Sequence, residues 1–315
     1  MRALVTGGSG FIGSHIVDQL RDRQITVRVY DMVYPTWRDD IEFYHGSLMD
    51  SDALRMSMNG VDVVFHLAAV ADVKDVLENP AESEAINVRG TMNVLEAMRR
   101  TGVQRIVYGS TTWVYSDTEG DELDEQTVLA PPTHLYTATK LTSELYCRCY
   151  QQLYGLEPTV LRYGIPYGPR ARAGAVVPIF VDRAMKGETI TIAGDGSQFR
   201  NFVYVEDLAE GNVLALKSIA KGKIYNLDGS ERVTIREIAE TVQRVTGRGQ
   251  IEFGPARPGD FSGKVISSKL AASELGWKPR VSFEEGVRRY VDWYREMKDS
   301  KERQWASVDS ELTVG

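Results

Sequence analysis

The sequence predicts an α/β fold, a doubly wound parallel sheet followed by a smaller, irregular α/β portion toward the C-terminus. Three observations predict it. Short β-branched runs alternate with longer helical patterns through the first half of the chain, as parallel neighbours joined by right-handed crossovers require. A glycine-rich turn, TGGSGFIG (residues 6–13), joins the first such run to the first helical pattern. After about residue 165 the rhythm breaks into Gly/Pro-rich loops (GIPYGPRARAGAVVP, AGDGSQ, FGPARPGD) between shorter elements.

RALVTG (2–7) is a short apolar run closed by glycine and reads as the first strand. The helix that follows, 11–22, shows its apolar face at Ile12, Ile16, Val17 and Leu20. ITVRVYD (25–31) and EFYHG (42–46) are the next strands, with a helix near 50–58. VDVVFHLA (61–68) is a fourth strand, and a long helical pattern at 81–101 leads to RIVYGS (105–110). A helix at 136–154 then precedes EPTVLRYG (157–164). Beyond it, VVPIFVDRAMKG, VEDLAEGNVLALKSIA, TIREIAETVQRVTG and FEEGVRRYVDWYREM are helix candidates. Residues 299–315 are polar and aperiodic, which predicts a loose tail. Together these features describe a Rossmann-like sheet, in which ligands bind beyond the carboxyl ends of the strands.

At 315 residues the chain is long enough for a full hydrophobic core, and its 43% hydrophobic and 26% charged residues are ordinary for a globular protein. A formal charge of -7 and a pI near 5.3 argue against nucleic-acid or anionic-membrane partners, which need a positive field. Met1 leads straight into a strand and no apolar run approaches a membrane span, so a cytoplasmic location is expected. Cys147 and Cys149 share one helix and point to different sides, which makes them packing residues rather than a disulfide. His15, His45, His66 and His134 lack ligand-like spacing, and no metal is expected.

Gly8, Gly10 and Gly13 have the G-x-G-x-x-G spacing between a strand and a helix, with Gly7 also available. Missing side chains let the backbone approach a pyrophosphate, and the helix N-terminus offers unpaired N–H groups to it. Asp31 stands 18 residues after Gly13 at a strand end, where a carboxylate accepts from an adenosine ribose and repels a 2′-phosphate. With no basic residue in the MVYPTW that follows, NAD is favoured over NADP. Tyr136 and Lys140 are four residues apart and stack on one helical face. A phenol titrates near 10; an adjacent ammonium that lowered it to about 7 would supply roughly 4 kcal/mol of differential stabilisation.

TGGSGFIGSH, HLAA (66–69), NVRGTMNVLEA (87–97), GSTTWVY, YTATK, LRYGIPYGPR, GDGSQFRNFVYVEDLA and RPGD follow one another in order. In this set the chain resembles the extended short-chain dehydrogenases/reductases, specifically the NAD-dependent nucleotide-sugar epimerases and dehydratases of the UDP-glucose 4-epimerase type. The resemblance covers about residues 1–298 and implies an NAD-binding domain over 1–165, which also receives part of 200–227, and a mainly substrate-binding domain over 166–298. It implies a catalytic triad of Thr111, Tyr136 and Lys140, with Thr111 bonded to the sugar hydroxyl and Lys140 also holding the nicotinamide ribose. Gly7, Gly10, Phe11, Ile12, Gly13, Asp31, Ser47, Leu48, Leu67, Ala68 and Ala69 would line the cofactor beside Tyr136 and Lys140. Arg200 and Arg257 match arginines that hold a nucleotide diphosphate, Asp260 matches a ribose contact, and Arg170 and Arg172 are weaker matches. A homodimer through the helices around 81–101 and 136–154 is also implied.

Members that eliminate water, or that decarboxylate, carry an acid just after the triad hydroxyl. Here Thr112 and Trp113 stand there, and neither supplies acid/base chemistry at neutral pH. Trp113 is then a packing residue or a wall for the sugar ring. What remains is 4-epimerisation of a nucleotide sugar, a UDP-sugar first, by transient oxidation to a 4-keto sugar and hydride return to the opposite face, with tightly retained NAD. A net 4-keto reductase or dehydrogenase and a noncatalytic NAD-binding module are the alternatives. Two departures bear on this: Gly164-Ile165 replaces a Phe-Asn whose amide contacts substrate, and Ser47 replaces an adenine-contacting aspartate. His66 and His134 occupy no triad position and are read as structural.

Overall fold

The structure, a computed structural model, describes residues 1–255 and 263–312. β1 (Arg2–Thr6) passes through the glycine turn into α1 (Phe11–Asp22), followed by β2 (Thr26–Asp31), β3 (Glu42–His45), α2 (Ser51–Ser57) and β4 (Val63–His66). α3 (Val73–Glu78), α4 (Pro80–Glu84), a π-helical turn (Ala85–Arg89) and α5 (Gly90–Thr101) lead to β5 (Arg105–Thr111). α6 (Leu135–Tyr154) and β6 (Glu157–Tyr163) complete the alternation.

The second part contains β7 (Ile165–Tyr167), α7 (Val176–Lys186), β8 (Ile190–Ala193), β9 (Phe199–Tyr204) and α8 (Val205–Leu214). β10 (Ile224–Leu227), β11 (Arg232–Thr234), α9 (Ile235–Thr246), β12 (Ile251–Gly254) and α10 (Phe283–Leu312) follow.

Seven strands form one sheet in the order β10-β6-β5-β4-β1-β2-β3, and every pairing in it is parallel. The chain winds outward from β1 in both directions, so the crevice at the carboxyl ends of β1 and β4 is where such a sheet accepts a ligand. Helices on both faces bury the central strands, which therefore read as continuous apolar runs: Ala3, Leu4 and Val5 of β1 and Val64 and Phe65 of β4 have no exposed surface. β10 comes late in the sequence yet pairs in register with β6, Leu227 opposite Tyr163, and α8 packs on the same apolar cluster as α1. A second core, with Tyr167, Phe180, Phe202, Tyr204, Phe283 and Tyr290, joins α7, α9 and α10 to the small sheet β11-β9-β7.

Four details differ from expectation. The pattern at 81–101 is interrupted by the π-helical turn, where the Asn87 carbonyl accepts from the Thr91 hydroxyl at 2.6 Å and the Ser143 hydroxyl at 2.9 Å. The helix predicted over 205–220 stops at Leu214, and a short 3₁₀ turn, Ser218–Ala220, follows. α10 continues to Leu312 where a loose tail was expected. Its Lys, Glu, Arg, Gln and Ala residues favour helix, and extending a helix already packed on the core requires no new nucleation. Cys147 is buried as a packing residue, but Cys149 is exposed, because positions two apart on a helix face different ways. Among the described residues no helix is long and apolar enough to cross a membrane.

Candidate active site

The glycine turn is shaped by contacts that exclude side chains. Gly7 takes φ +71°, and a Cβ there would lie 2.6 Å from the Ala68 nitrogen; a Cβ on Gly13 would lie 2.1 Å from the Gly7 carbonyl oxygen. At Gly10 the same test meets protein only at 3.2 Å, so that glycine keeps open the space before α1. Gly10 caps α1 without a side-chain bond, which leaves the N–H groups of Phe11 and Ile12 for an anion. Asp31 ends β2 beside this turn: Oδ2 accepts from Ser9 N–H at 3.0 Å and Oδ1 from Val33 N–H at 3.0 Å. The floor is Leu67 and Ala68, Leu67 meeting Gly109 and Ala68 meeting Gly7, with Ala69 next in the chain. Ser47 is set by its carbonyl, which accepts from the Tyr30 hydroxyl at 2.8 Å, and Leu48 is buried against Gly90. A glycine cradle, an uncapped helix start and an acid at the end of β2 fit the pyrophosphate and adenosine ribose of NAD.

Thr111 is the last residue of β5, and α6 begins with His134 as its N-cap, accepting from Tyr136 N–H at 3.3 Å. This sets the Thr111 side chain beside that of Tyr136. Burial pushes the Tyr136 hydroxyl up to about 12, while the Thr111 hydroxyl and the Arg172 charge pull it back. Lys140 is buried, donates to the Gly109 carbonyl at 2.8 Å and lies 5.0 Å from the Tyr108 ring centre. Burial lowers it to about 8, and Glu144 pulls it back up. The expected drop of the phenol through Lys140 is therefore not produced by this chain's own charges: Lys140 is turned to the Gly109 carbonyl, and desolvation dominates at Tyr136.

Trp113 sits in the 3₁₀ turn after Thr111, partly exposed, with its ring edge-on to His134 at 5.7 Å between centres. It stands against the residue that caps α6, two positions before Tyr136 in the chain. Arg200 lies on β9 in the small sheet and donates to the Phe199 carbonyl at 2.8 Å; no described contact links it to the triad. Arg257 and Asp260 lie outside the described residues. Arg172 is paired with Asp72, and Arg170 with Asp18 at 2.7 Å. His66 lies beneath the site, and burial, with Lys140 nearby, lowers it to about 3.

Three buried groups at this edge were not singled out from sequence. Glu144 lies one turn beyond Lys140, Arg162 on β6 pairs with it at 2.7 Å, and Asp228 follows β10. The spacing Tyr136, Lys140, Glu144 carried a signal for the first; the partnership of Glu144 with Arg162 is visible only once β6 lies beside β5.

Residues 3–228 match the model of the NAD dependent epimerase/dehydratase family. The UDP-glucuronate 4-epimerase of Thermodesulfobacterium geofontis is 32% identical over 317 residues, which cover 93% of this chain and 96% of that one. The UDP-N-acetyl-alpha-D-glucosaminuronate decarboxylase of Bacillus cytotoxicus is 31% identical over 320 residues, 95% of this chain and 99% of the relative. The crystal structure of the Thermus thermophilus UDP-glucose 4-epimerase in complex with NAD superposes with a TM-score of 0.85 at 38% identity, covering 94% of this chain and 99% of that one. With the glycine cradle, Asp31 and the Tyr136–Lys140 helix placed at one sheet edge, the chain belongs to the NAD-dependent epimerase/dehydratase family of enzymes and uses NAD.

Proposed function

We propose that the protein is a nucleotide-sugar 4-epimerase that retains its NAD through the cycle and takes UDP-sugars. The observation that carries this reading is the surroundings of Tyr136: Thr111 lies beside it, and the residues that follow Thr111 are Thr112 and Trp113, neither of them an acid. Elimination of water across C5 and C6 needs a second acid/base group beside the sugar. Proton exchange at the C4 hydroxyl needs only one. Tyr136 removes that proton, Thr111 holds the same hydroxyl in line, and Lys140 supplies a fixed positive charge behind the site. Bound NAD supplies the hydride acceptor and donor at C4 and, when oxidised, a positive charge that favours the Tyr136 phenolate. Two relatives of this chain, the UDP-glucuronate and UDP-glucose 4-epimerases, carry out this class of reaction and support the UDP-sugar choice. A homodimer through α5 and α6 belongs to the same reading and is supported by Leu145 and Leu153, exposed on α6.

The test is an NMR time course of the purified protein with a panel of nucleotide sugars and no added NADH. Interconversion of C4 epimers with unchanged total NAD is the expected result. Stoichiometric consumption of NAD(H), or release of water or carbon dioxide from the sugar, overturns the reading in favour of net redox, dehydration or decarboxylation.

A further inference from the structure

Tyr136, Lys140 and Glu144 recur every fourth residue along α6 and so share one face. That face meets three consecutive residues at the end of β5. Lys140 Nζ donates to the Gly109 carbonyl at 2.8 Å, the Ser110 hydroxyl donates to Glu144 Oε1 at 2.5 Å, and Tyr136 lies beside Thr111. The helix is thus registered on the strand by two polar rungs. One belongs to the candidate triad; the second is Glu144 with Ser110.

The second rung is anchored from the next strand. Arg162 of β6 donates from Nη2 to Glu144 Oε2 at 2.7 Å and from Nε to Oε1 at 3.1 Å, and both residues are no more than 5% exposed. Its Nη1 donates to the Tyr115 hydroxyl at 2.6 Å, and Tyr115 lies just past Thr111 in the 3₁₀ turn. A buried ion pair is poor evidence of stabilisation by itself, since apolar residues of similar volume often do as well. Its placement points elsewhere. The groups facing Lys140 are Tyr108 on β5, His66 on β4, and Tyr136, Glu144 and Cys147 on α6, with Arg162 behind Glu144. His66 is neutral and the Cys147 thiol is pushed up to about 12, so the negative charge available to Lys140 among these described groups is Glu144.

We propose that Glu144, held by Arg162, is a positioning residue of the triad: it sets the register of α6 on β5 and keeps the buried Lys140 charged. This deepens the reading of Thr111, Tyr136 and Lys140 as the reacting group and rests on it. The variants are Glu144→Gln, Arg162→Met and Glu144→Asp.

The first measurement needs no turnover: melting temperature against pH for the unliganded protein. Lys140 titrates near 8 in the fold, so Glu144 interacts with a cation below that pH and with a neutral amine by pH 10. The deficit in melting temperature of Glu144→Gln should therefore shrink between pH 7 and 10; a deficit equal at both overturns the proposal, because packing alone does not titrate.

The second measurement is the appearance of reduced nicotinamide when NAD-loaded protein meets a nucleotide sugar, followed against pH. Loss of the carboxylate should move the alkaline limb down by about one pH unit and lower the rate at pH 8 about fivefold, with KM within about twofold. Arg162→Met, which leaves the carboxylate unneutralised, should move the limb up; movement of both variants in one direction overturns the proposal. If Glu144→Gln does not fold, Glu144→Asp decides: it keeps the charge, so the limb should stay in place, and a downward shift overturns the proposal. A wild-type protein that never reduces its nicotinamide on any sugar ends the functional reading, and the melting arm still decides the role of Glu144.

Discussion

Replacing Asp228 by Asn should stabilise the protein at alkaline pH and not at acid pH. Asp228 follows β10 at the carboxyl edge of the sheet and is 4% exposed. It accepts from Asn201 Nδ2 at 2.9 Å, and the neighbouring Gly229 N–H also favours the carboxylate. Gly164 closes the other side so tightly that a Cβ there would lie 2.0 Å from Asp228 Oδ1. Two donors do not offset that burial, and the carboxyl is raised from 3.8 to about 7.

An acid raised in the fold holds a proton there that the unfolded chain has already lost between about pH 4 and 7. Stability from this site is thus greatest below about pH 4, declines as pH rises, and the full cost is reached above pH 7. Three pKa units correspond to about 4 kcal/mol. Asn has the same shape and no charge; its oxygen still accepts from Asn201, but its amide cannot accept the Gly229 N–H, a loss of about 1–2 kcal/mol. The expected net gain is about 2–3 kcal/mol at pH 8, or roughly 5 °C in a chain of this size, with the wild-type and variant curves meeting near pH 5. Parallel thermal scans at pH 5 and pH 8 measure it. A difference that is the same at both pH values, or a variant that melts lower at pH 8, refutes the reasoning.

Gly13→Ala forces a Cβ to within 2.1 Å of the Gly7 carbonyl, so the glycine turn must move, and NAD affinity should fall at least about tenfold in a titration of cofactor fluorescence. Asp31→Ala releases the Ser9 and Val33 N–H groups and removes the charge that repels a 2′-phosphate; calorimetry should show NAD binding weakened about tenfold and NADP gaining relative to it. Tyr136→Phe should fold and bind NAD, yet lose about 10³-fold in kcat, and undiminished turnover would reject Tyr136 as the base.

The parallel sheet was legible because its central strands are buried on both faces and its glycine turn has few other uses. β10 was not: IYNL is four residues long, lies after a helix and a turn, and acquires meaning only by pairing with β6, 64 residues earlier in the chain. The site divides in the same way. Thr111, Tyr136, Lys140 and Asp31 stand in local motifs whose spacing carries their geometry. Glu144 and Arg162 are ordinary charges on a helix and a strand until the sheet order places them together, and the close approach of Gly164 to Asp228 joins the ends of two strands. Periodicity also failed at 85–89, since the apolar pattern runs through a π-turn unchanged while the backbone bonds do not.

That π-turn explains why Lys140 has neutral neighbours on the β4 side. The Thr91 hydroxyl spends its one proton on the Asn87 carbonyl of the turn, at 2.6 Å. It can then only accept from His66 Nε2, 3.0 Å away, so Nε2 carries the hydrogen and Nδ1 accepts from the Thr6 hydroxyl at 2.7 Å. Both ring nitrogens are committed in the neutral form, and protonation would place a positive charge inside a fully buried site next to a cation. His66 therefore ties β1, β4 and the turn before α5 together without taking a charge at physiological pH. The same turn places Asn87 Nδ2 3.1 Å from the Thr139 hydroxyl, directly before Lys140 in the chain. A single uncharged relay thus runs from the strand that leads into the glycine turn to the helix that carries Tyr136, so the two halves of the site share one rigid floor.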